Sequence, residues 1–283
     1  MAVKIAYLLV AHKNPDQVNL FVNQLLNYGD CDIYIHVDKK NQAMLDKIVK
    51  NKHVICCSMY DVRWGSFEIV KAAIELMRMA LYSKQSYTHM YFGSGQDLLV
   101  KKGLYDYLEN NPRKIFLHIV GEITSSDRES ARYRISWPRK LMIRDDMHPY
   151  RFIRIIMQLL CKVGIVVFRN KHQLNKKVHF YEGRTWFIAP FQVLNYIVDY
   201  LNKNQEYIEF WEDSLASDLM FFQTIIMNSA YAKDVVDELM LVKFGKTFST
   251  MNHPLNITKE MCQEIDNGNY YFARKFEISE DIE

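Results

Sequence analysis

The sequence predicts an α/β protein of Rossmann type, three layers deep, with a mostly parallel central sheet between helices. Two observations predict it. Over residues 1–120, runs suited to buried strands alternate with runs whose apolar residues recur at helical spacing, the order produced when crossover helices join parallel strands. No Gly-, Pro- or Ser-rich linker interrupts the 283 residues, so a single domain over 1–283 is expected.

In chain order, the first element is a strand over 4–11. The run from Val3 to Val10 is β-type with one early Lys and lacks the small-residue cleavage site of a signal peptide. A helix follows over 15–26, because Asn14 is a good N-cap and Pro15 suits the first helical position. Strands over 32–37, 53–58, 89–93 and 114–119 continue the alternation with helices over 41–49, 67–82 and 104–109. It fails over 121–177, an irregular insertion where cations accumulate, Arg132, Arg144, Lys176 and Lys177 among them. Regular structure returns as a strand pair over 178–189 and helices over 190–201 and 215–227. The first 120 residues form a nucleotide-binding half and 178–283 an acceptor and phosphate-binding half.

Composition narrows the function. Hydrophobic residues make up 49% of the chain, enough for a substantial core, and a net charge of only +3 argues against wholesale binding of nucleic acid. The five cysteines are odd in number and show no CxxC spacing, which suggests neither a disulfide framework nor a zinc site and fits a reducing compartment. The longest apolar stretch, 153–168, is interrupted by Arg154, Gln158 and Lys162 and is shorter than the roughly 20 residues needed to cross a bilayer.

Open α/β sheets bind ligands beyond the carboxyl ends of their strands. That rule selects Val10, Ala11 and His12, then Asp38, Lys39 and Lys40, then residues 93–97. An isolated strand-end Asp followed by two Lys is commonly a solvated turn. Here it occurs with AYLLVAHKNPDQVNLF, IYIHVDKK, RWGSFEIVKAA, YFGSGQDLLVKKGLYDYL and YYFARKF, in that order. Together these segments resemble the core-2/I-branching β-1,6-N-acetylglucosaminyltransferase family, which includes peptide O-xylosyltransferases.

The resemblance spans about 4–277 and implies a GT-A-like fold that transfers a sugar from a UDP donor to a hydroxyl, with inversion and without a metal ion. It implies that Val10 to His12 and Asp38 to Lys40 line the uridine pocket, with Asp38 accepting hydrogen bonds from uracil or ribose. Trp64, Gly65 and Ser66 precede a helix where backbone N–H groups approach the donor; the alternative is a Ser cap beside a packed Trp. A departing diphosphate gains charge that a fixed cation must stabilise. By resemblance Lys275 contacts the pyrophosphate, with Arg274 beside it, and Lys243 stands where relatives have a phosphate-binding Arg. The one DxD match, Asp30-Cys31-Asp32, starts the second strand, the wrong end of the sheet, and the nine histidines lack metal-ligand spacing.

Inverting transfer also needs a general base. In the family this is a Glu in an Asp-Glu pair opening a helix; the matching stretch here has Asp218 followed by Leu219. Three readings stay open. Asp218 is the base, although adjacent helical side chains diverge by about 100°; or Glu212 or Asp213 reaches in; or the chain binds UDP-sugar or glycan and catalyses poorly or not at all. Asp218 equally suits a helix cap. Residues 183–189, GRTWFIA, resemble a segment bordering the acceptor pocket, where Trp186 stacks on a sugar or belongs to the core. Asp97 lies near the donor sugar or supports its loop, and Glu122 and Glu129 are candidate acceptor contacts.

The expectation is therefore a bacterial, cytoplasmic, metal-independent transferase. Its co-substrate is a UDP-sugar, N-acetylglucosamine before xylose, with no other cofactor, and its acceptor a glycan or lipid-linked oligosaccharide. A Rossmann dehydrogenase is disfavoured because no GxGxxG occurs. The basic, apolar stretch over 151–177 suits a peripheral helix at the inner face of an anionic membrane, or a buried helix with a solvated basic rim.

Overall fold

The structure, a computed structural model, describes residues 2–143, 148–174, 177–247, 254–258 and 261–278; Arg144 and Lys176 of the basic stretch lie outside them. The first half reads β1 (Ile5–Ala11), α1 (Pro15–Tyr28), β2 (Cys31–Val37), β3 (Val54–Cys57), α2 (Glu68–Tyr82), β4 (His89–Ser94), β5 (Leu98–Leu99), α3 (Leu104–Asn110) and β6 (Ile115–Phe116). Then follow β7 (Ile119–Ile123), α4 (Ala131–Arg134), α5 (Pro149–Lys162), β8 (Phe180–Gly183), β9 (Phe187–Pro190), α6 (Phe191–Lys203), α7 (Gln205–Trp211), α8 (Phe221–Met227), β10 (Val235–Val236), β11 (Met240–Val242), α9 (Cys262–Asn267) and β12 (Phe272–Arg274).

Seven strands form the central sheet in the order β10-β6-β9-β4-β1-β2-β3. β1 pairs in parallel with β2 and β4, β2 with β3, and β6 with β10, while β9 runs antiparallel between β4 and β6. The mostly parallel α/β architecture expected from the sequence is the one observed. Successive β1 side chains alternate between faces. Ala6 and Leu8 enter a core shared with α2, α6, α7 and α8, whereas Ile5, Tyr7 and Leu9 enter one shared with α1 and α3. Burial on both faces explains why β1 reads as an unbroken apolar run.

At the start of α1, the Asn14 side chain accepts from the Gln17 N–H and Pro15 takes the first turn. The helix expected over 41–49 is a 3-10 segment, Lys39–Lys47, kinked at Asn41 and capped by Asp38. The strand pair expected over 178–189 divides between two sheets: β8 pairs with β7, and β9 joins the central sheet. The helix expected over 215–227 is interrupted, since Ala216 adopts a left-handed backbone with φ 52° and a short 3-10 turn, Ser217–Leu219, precedes α8. The stretch over 121–177 is less irregular than its composition suggested, because it contains the 14-residue α5.

A second sheet, β11-β12-β5, brings the last described strand beside the segment that follows β4. β5 follows β4 closely, and β12 lies antiparallel to it, pairing Phe272 with Leu99 and Ala273 with Leu98. Among the described residues no helix is long and apolar enough to cross a membrane.

Candidate active site at the switch point of the sheet

From β1 the chain proceeds to β2 and β3 on one side, while β4 lies on the other, which opens a crevice at the carboxyl end of β1. Three segments meet there. The Asp38 N–H donates to the Ala11 carbonyl (2.8 Å) and the Gly95 N–H to the Val10 carbonyl (3.1 Å), joining the ends of β1, β2 and β4. Asp38 is buried, accepts from the Lys40 N–H (3.0 Å) and pairs with the Lys40 ammonium (3.1 Å). Lys40 is also held by Asp61 (2.8 Å) and the Val62 carbonyl (2.6 Å). Exposed His12 and Lys39 flank this wall.

β12 supplies the cations. Arg274 is buried; one Nη donates to Ser94 Oγ (2.8 Å), Nε lies 3.2 Å from Asp97 as an oblique ion pair, and the guanidinium stacks 4.4 Å from the Trp186 ring centre. Asp97 is wholly buried and accepts from the Tyr91 hydroxyl (2.8 Å) and the Ser94 N–H (2.7 Å), an arrangement that braces the SGQD loop. Burial pushes its carboxyl above the ordinary carboxylate range, against the pull of Arg274 and of both donors. Beyond it, the Glu277 carboxylate receives Lys13, Lys275 (3.1 Å) and the Gln96 amide (3.0 Å). Burial alone would raise that carboxyl; Lys13 and Lys275 outweigh it and hold it below the usual range.

The acidic side lies across Trp186. Gly183 ends β8 where a side chain would meet the His118 carbonyl at 2.3 Å, so only glycine lets the following turn press against the β6–β7 connection. Thr185 in that turn donates to Asp218 (2.7 Å), and the Gln223 amide donates to both the Arg184 carbonyl (2.7 Å) and the Asp218 carbonyl (3.2 Å). Burial raises the half-buried Asp218 carboxyl, while Thr185 and the Arg132 charge oppose the shift. Arg132 pairs with Glu182 (3.0 Å), whose carboxyl burial also raises. The RWGS loop joins this group: the Gly65 carbonyl accepts from the Ala216 N–H (2.7 Å), and Gly65 has φ +73°. Ser66 is buried and bonds back to Arg63, while Trp64 is partly exposed beneath the Arg154 guanidinium at 5.0 Å.

The remaining candidates are engaged by other partners. Lys243 directly follows Val242, the β11 partner of Arg274, and pairs with Glu264 (2.6 Å), while Glu122 pairs with His179 (2.7 Å) on the opposite face of its strand from Gly121, the partner of Glu182. Glu212 is exposed and tied to Lys71 (2.9 Å), and exposed Asp213 offers its carbonyl to the Trp137 N–H (2.8 Å). Asp32 of the DxD match sits at the far end of β2, bound by Lys4 (2.9 Å), His53 (2.6 Å) and Tyr87 (2.8 Å). Gln96 and Thr185 fall in the segments 93–97 and 183–189 singled out in the sequence but were given no role there, while Lys13, Glu182 and Glu277 were not selected; nothing local marks Glu277 as the partner of Lys13 and Gln96.

No curated protein matches this chain. The profile described as Core-2/I-Branching enzyme matches residues 5–266, nearly its whole length. With its seven-stranded, mostly parallel sheet, the chain belongs to the Core-2/I-branching enzyme family of glycosyltransferases.

Proposed function

We propose that this protein transfers a sugar, N-acetylglucosamine before xylose, from a UDP donor to a glycan hydroxyl with inversion and without a metal ion. One observation supports this most: Thr185 and Trp186, adjacent in sequence, hold the base candidate Asp218 and the cation Arg274 respectively. A proton acceptor and a cation for the leaving group thus flank one short turn, as an in-line displacement demands.

In this reading the uridine lies against Ala11, His12 and Asp38. Lys13, Gln96 and Lys275 already converge on a carboxylate, Glu277, and the same donors suit a phosphate oxygen once Glu277 withdraws. Asp218 takes the acceptor proton as the acceptor oxygen bonds the anomeric carbon, and UDP leaves from the opposite face with the electron pair of the broken bond. Its raised proton affinity brings Asp218 closer to the pH at which a base works best. Leu219 supplies no second carboxylate; Glu182, paired with Arg132 (3.0 Å), is a second acid in the field that Asp218 shares.

UDP release and calorimetric binding, both in EDTA, test this. Wild type should bind the UDP-sugar and release UDP when an acceptor is present. Asp218→Asn should lower kcat by about 10²–10⁴-fold, the usual worth of a general base, with donor affinity unchanged. Unchanged turnover in Asp218→Asn with loss in Glu182→Gln would move the base to Glu182; binding without turnover in wild type would favour a sugar-nucleotide-binding protein.

A further inference from the structure

Helix α5 is turned inside out. Its buried residues are Arg151, Arg154, Met157 and Cys161, while Ile153, Ile156, Leu159 and Val163, three or four positions apart, are between 41% and 71% exposed. The apolar surface continues past Gly164, whose φ of +92° ends the helix, into exposed Ile165 and Phe168. Phe168 holds a left-handed backbone, a costly state for a bulky residue, fixed where the Ser136 N–H donates to its carbonyl (2.7 Å). An apolar stripe of this length facing water is unfavourable unless something covers it.

Charge identifies what covers it. Residues 148–180 contain no Asp or Glu, and Lys162, Arg169, Lys171 and Lys177 are exposed there. Of the turns packed against α5, Arg128–Ser130 and Arg139–Leu141, the second adds exposed Lys140 and exposed Arg139, the latter paired with Glu68 (3.0 Å), and the first carries their one acid, Glu129. A second copy of the chain would bring the same cations against these, whereas an anionic bilayer surface meets both the apolar stripe and its cationic border.

We infer that α5 and the loop through Phe168 form an interfacial membrane-binding element that lies in the headgroup region of an anionic bilayer. The element is coupled to the site. Arg154 stacks on Trp64 of the RWGS loop, and Met157 and Cys161 pack in one cluster with Leu215, three residues before Asp218. Seated on a bilayer, it would hold Asp218 close to an acceptor anchored in lipid. Only that last clause rests on the transferase reading; the membrane contact does not.

Flotation with vesicles of phosphatidylcholine alone, or mixed with phosphatidylglycerol, tests the inference. Wild type should float with the anionic vesicles, and replacing Lys162, Arg169 and Lys171 with Gln should weaken partition on the order of 100-fold. Ile156→Glu with Leu159→Glu should weaken it by at least about tenfold, with the melting temperature and calorimetric UDP affinity unchanged. Wild type left in the soluble fraction with anionic vesicles would overturn it, as would flotation of the double Glu variant equal to wild type. A dimer in sedimentation equilibrium that the double Glu variant disperses would overturn it too, assigning the stripe to a second copy.

Discussion

Glu277 shows how one side chain reports on a site. Its carboxylate meets Lys13, Gln96 and Lys275, so a nucleotide diphosphate bound there as proposed would compete with it. Glu277→Gln should therefore tighten UDP about tenfold, the worth of one charge-assisted contact, in calorimetry without metal; unchanged or weaker binding would place the diphosphate elsewhere. Arg274 is more deeply committed. Its partner Asp97 is wholly buried, so Arg274→Ala should cost about 3–5 kcal/mol in denaturant unfolding by stranding that charge. At this scale the sequence was informative where a candidate residue ends or directly follows a strand, as with Ala11, Asp38 and Ser94. It was silent on Glu182 and Glu277, whose partners Arg132 and Lys13 lie far along the chain.

Among elements, the segment before α8 is where helical patterning failed. Apolar spacing over 215–227 suggests one helix, yet Ala216 turns left-handed because its N–H is claimed by the Gly65 carbonyl (2.7 Å), a contact no local pattern encodes. Gly65 is fixed by its φ of +73° and by Leu215, which would lie 3.0 Å from an added Cβ. Gly65→Ala should destabilise the protein by about 1–2 kcal/mol in thermal unfolding and lower turnover, since the displaced loop carries Asp218 with it. A neutral effect on both would separate the RWGS loop from Asp218. The division of 178–189 between two sheets has a comparable cause: β9 continues an apolar run that β4 and β6 bury, whereas β8 ends at Gly183 beneath the His118 carbonyl. Within 151–177 a helix was legible from composition alone, but not its bounds or its buried face, because two arginines occupy the buried stripe of α5 and its apolar residues point outward.

For the whole molecule, the parallel sheet was legible because interior strands buried on both faces leave unbroken apolar runs, and its topology places the proposed site at the carboxyl ends of the strands. The opposite end has its own chemistry. His89, buried at the start of β4, is held by desolvation at about 4, below the ordinary histidine value. The unfolded chain takes up this proton below roughly pH 6.5, whereas the folded chain does not until about pH 4. Stability should accordingly be complete above pH 6.5 and fall by up to about 3 kcal/mol through that window, and His89→Met should flatten that part of the curve. An unchanged acid limb in the variant would assign the loss to other groups.

In the proposed mechanism, cations near the end of the chain, folded over the carboxyl ends of β1 and β4, receive the diphosphate in place of a divalent ion. A crystal structure with UDP, grown with EDTA, tests it directly. The diphosphate should lie within hydrogen-bonding distance of Lys275 and Lys13, beside Arg274, with Glu277 displaced. A diphosphate bound away from β12, or binding recovered only when manganese is supplied, would contradict the account.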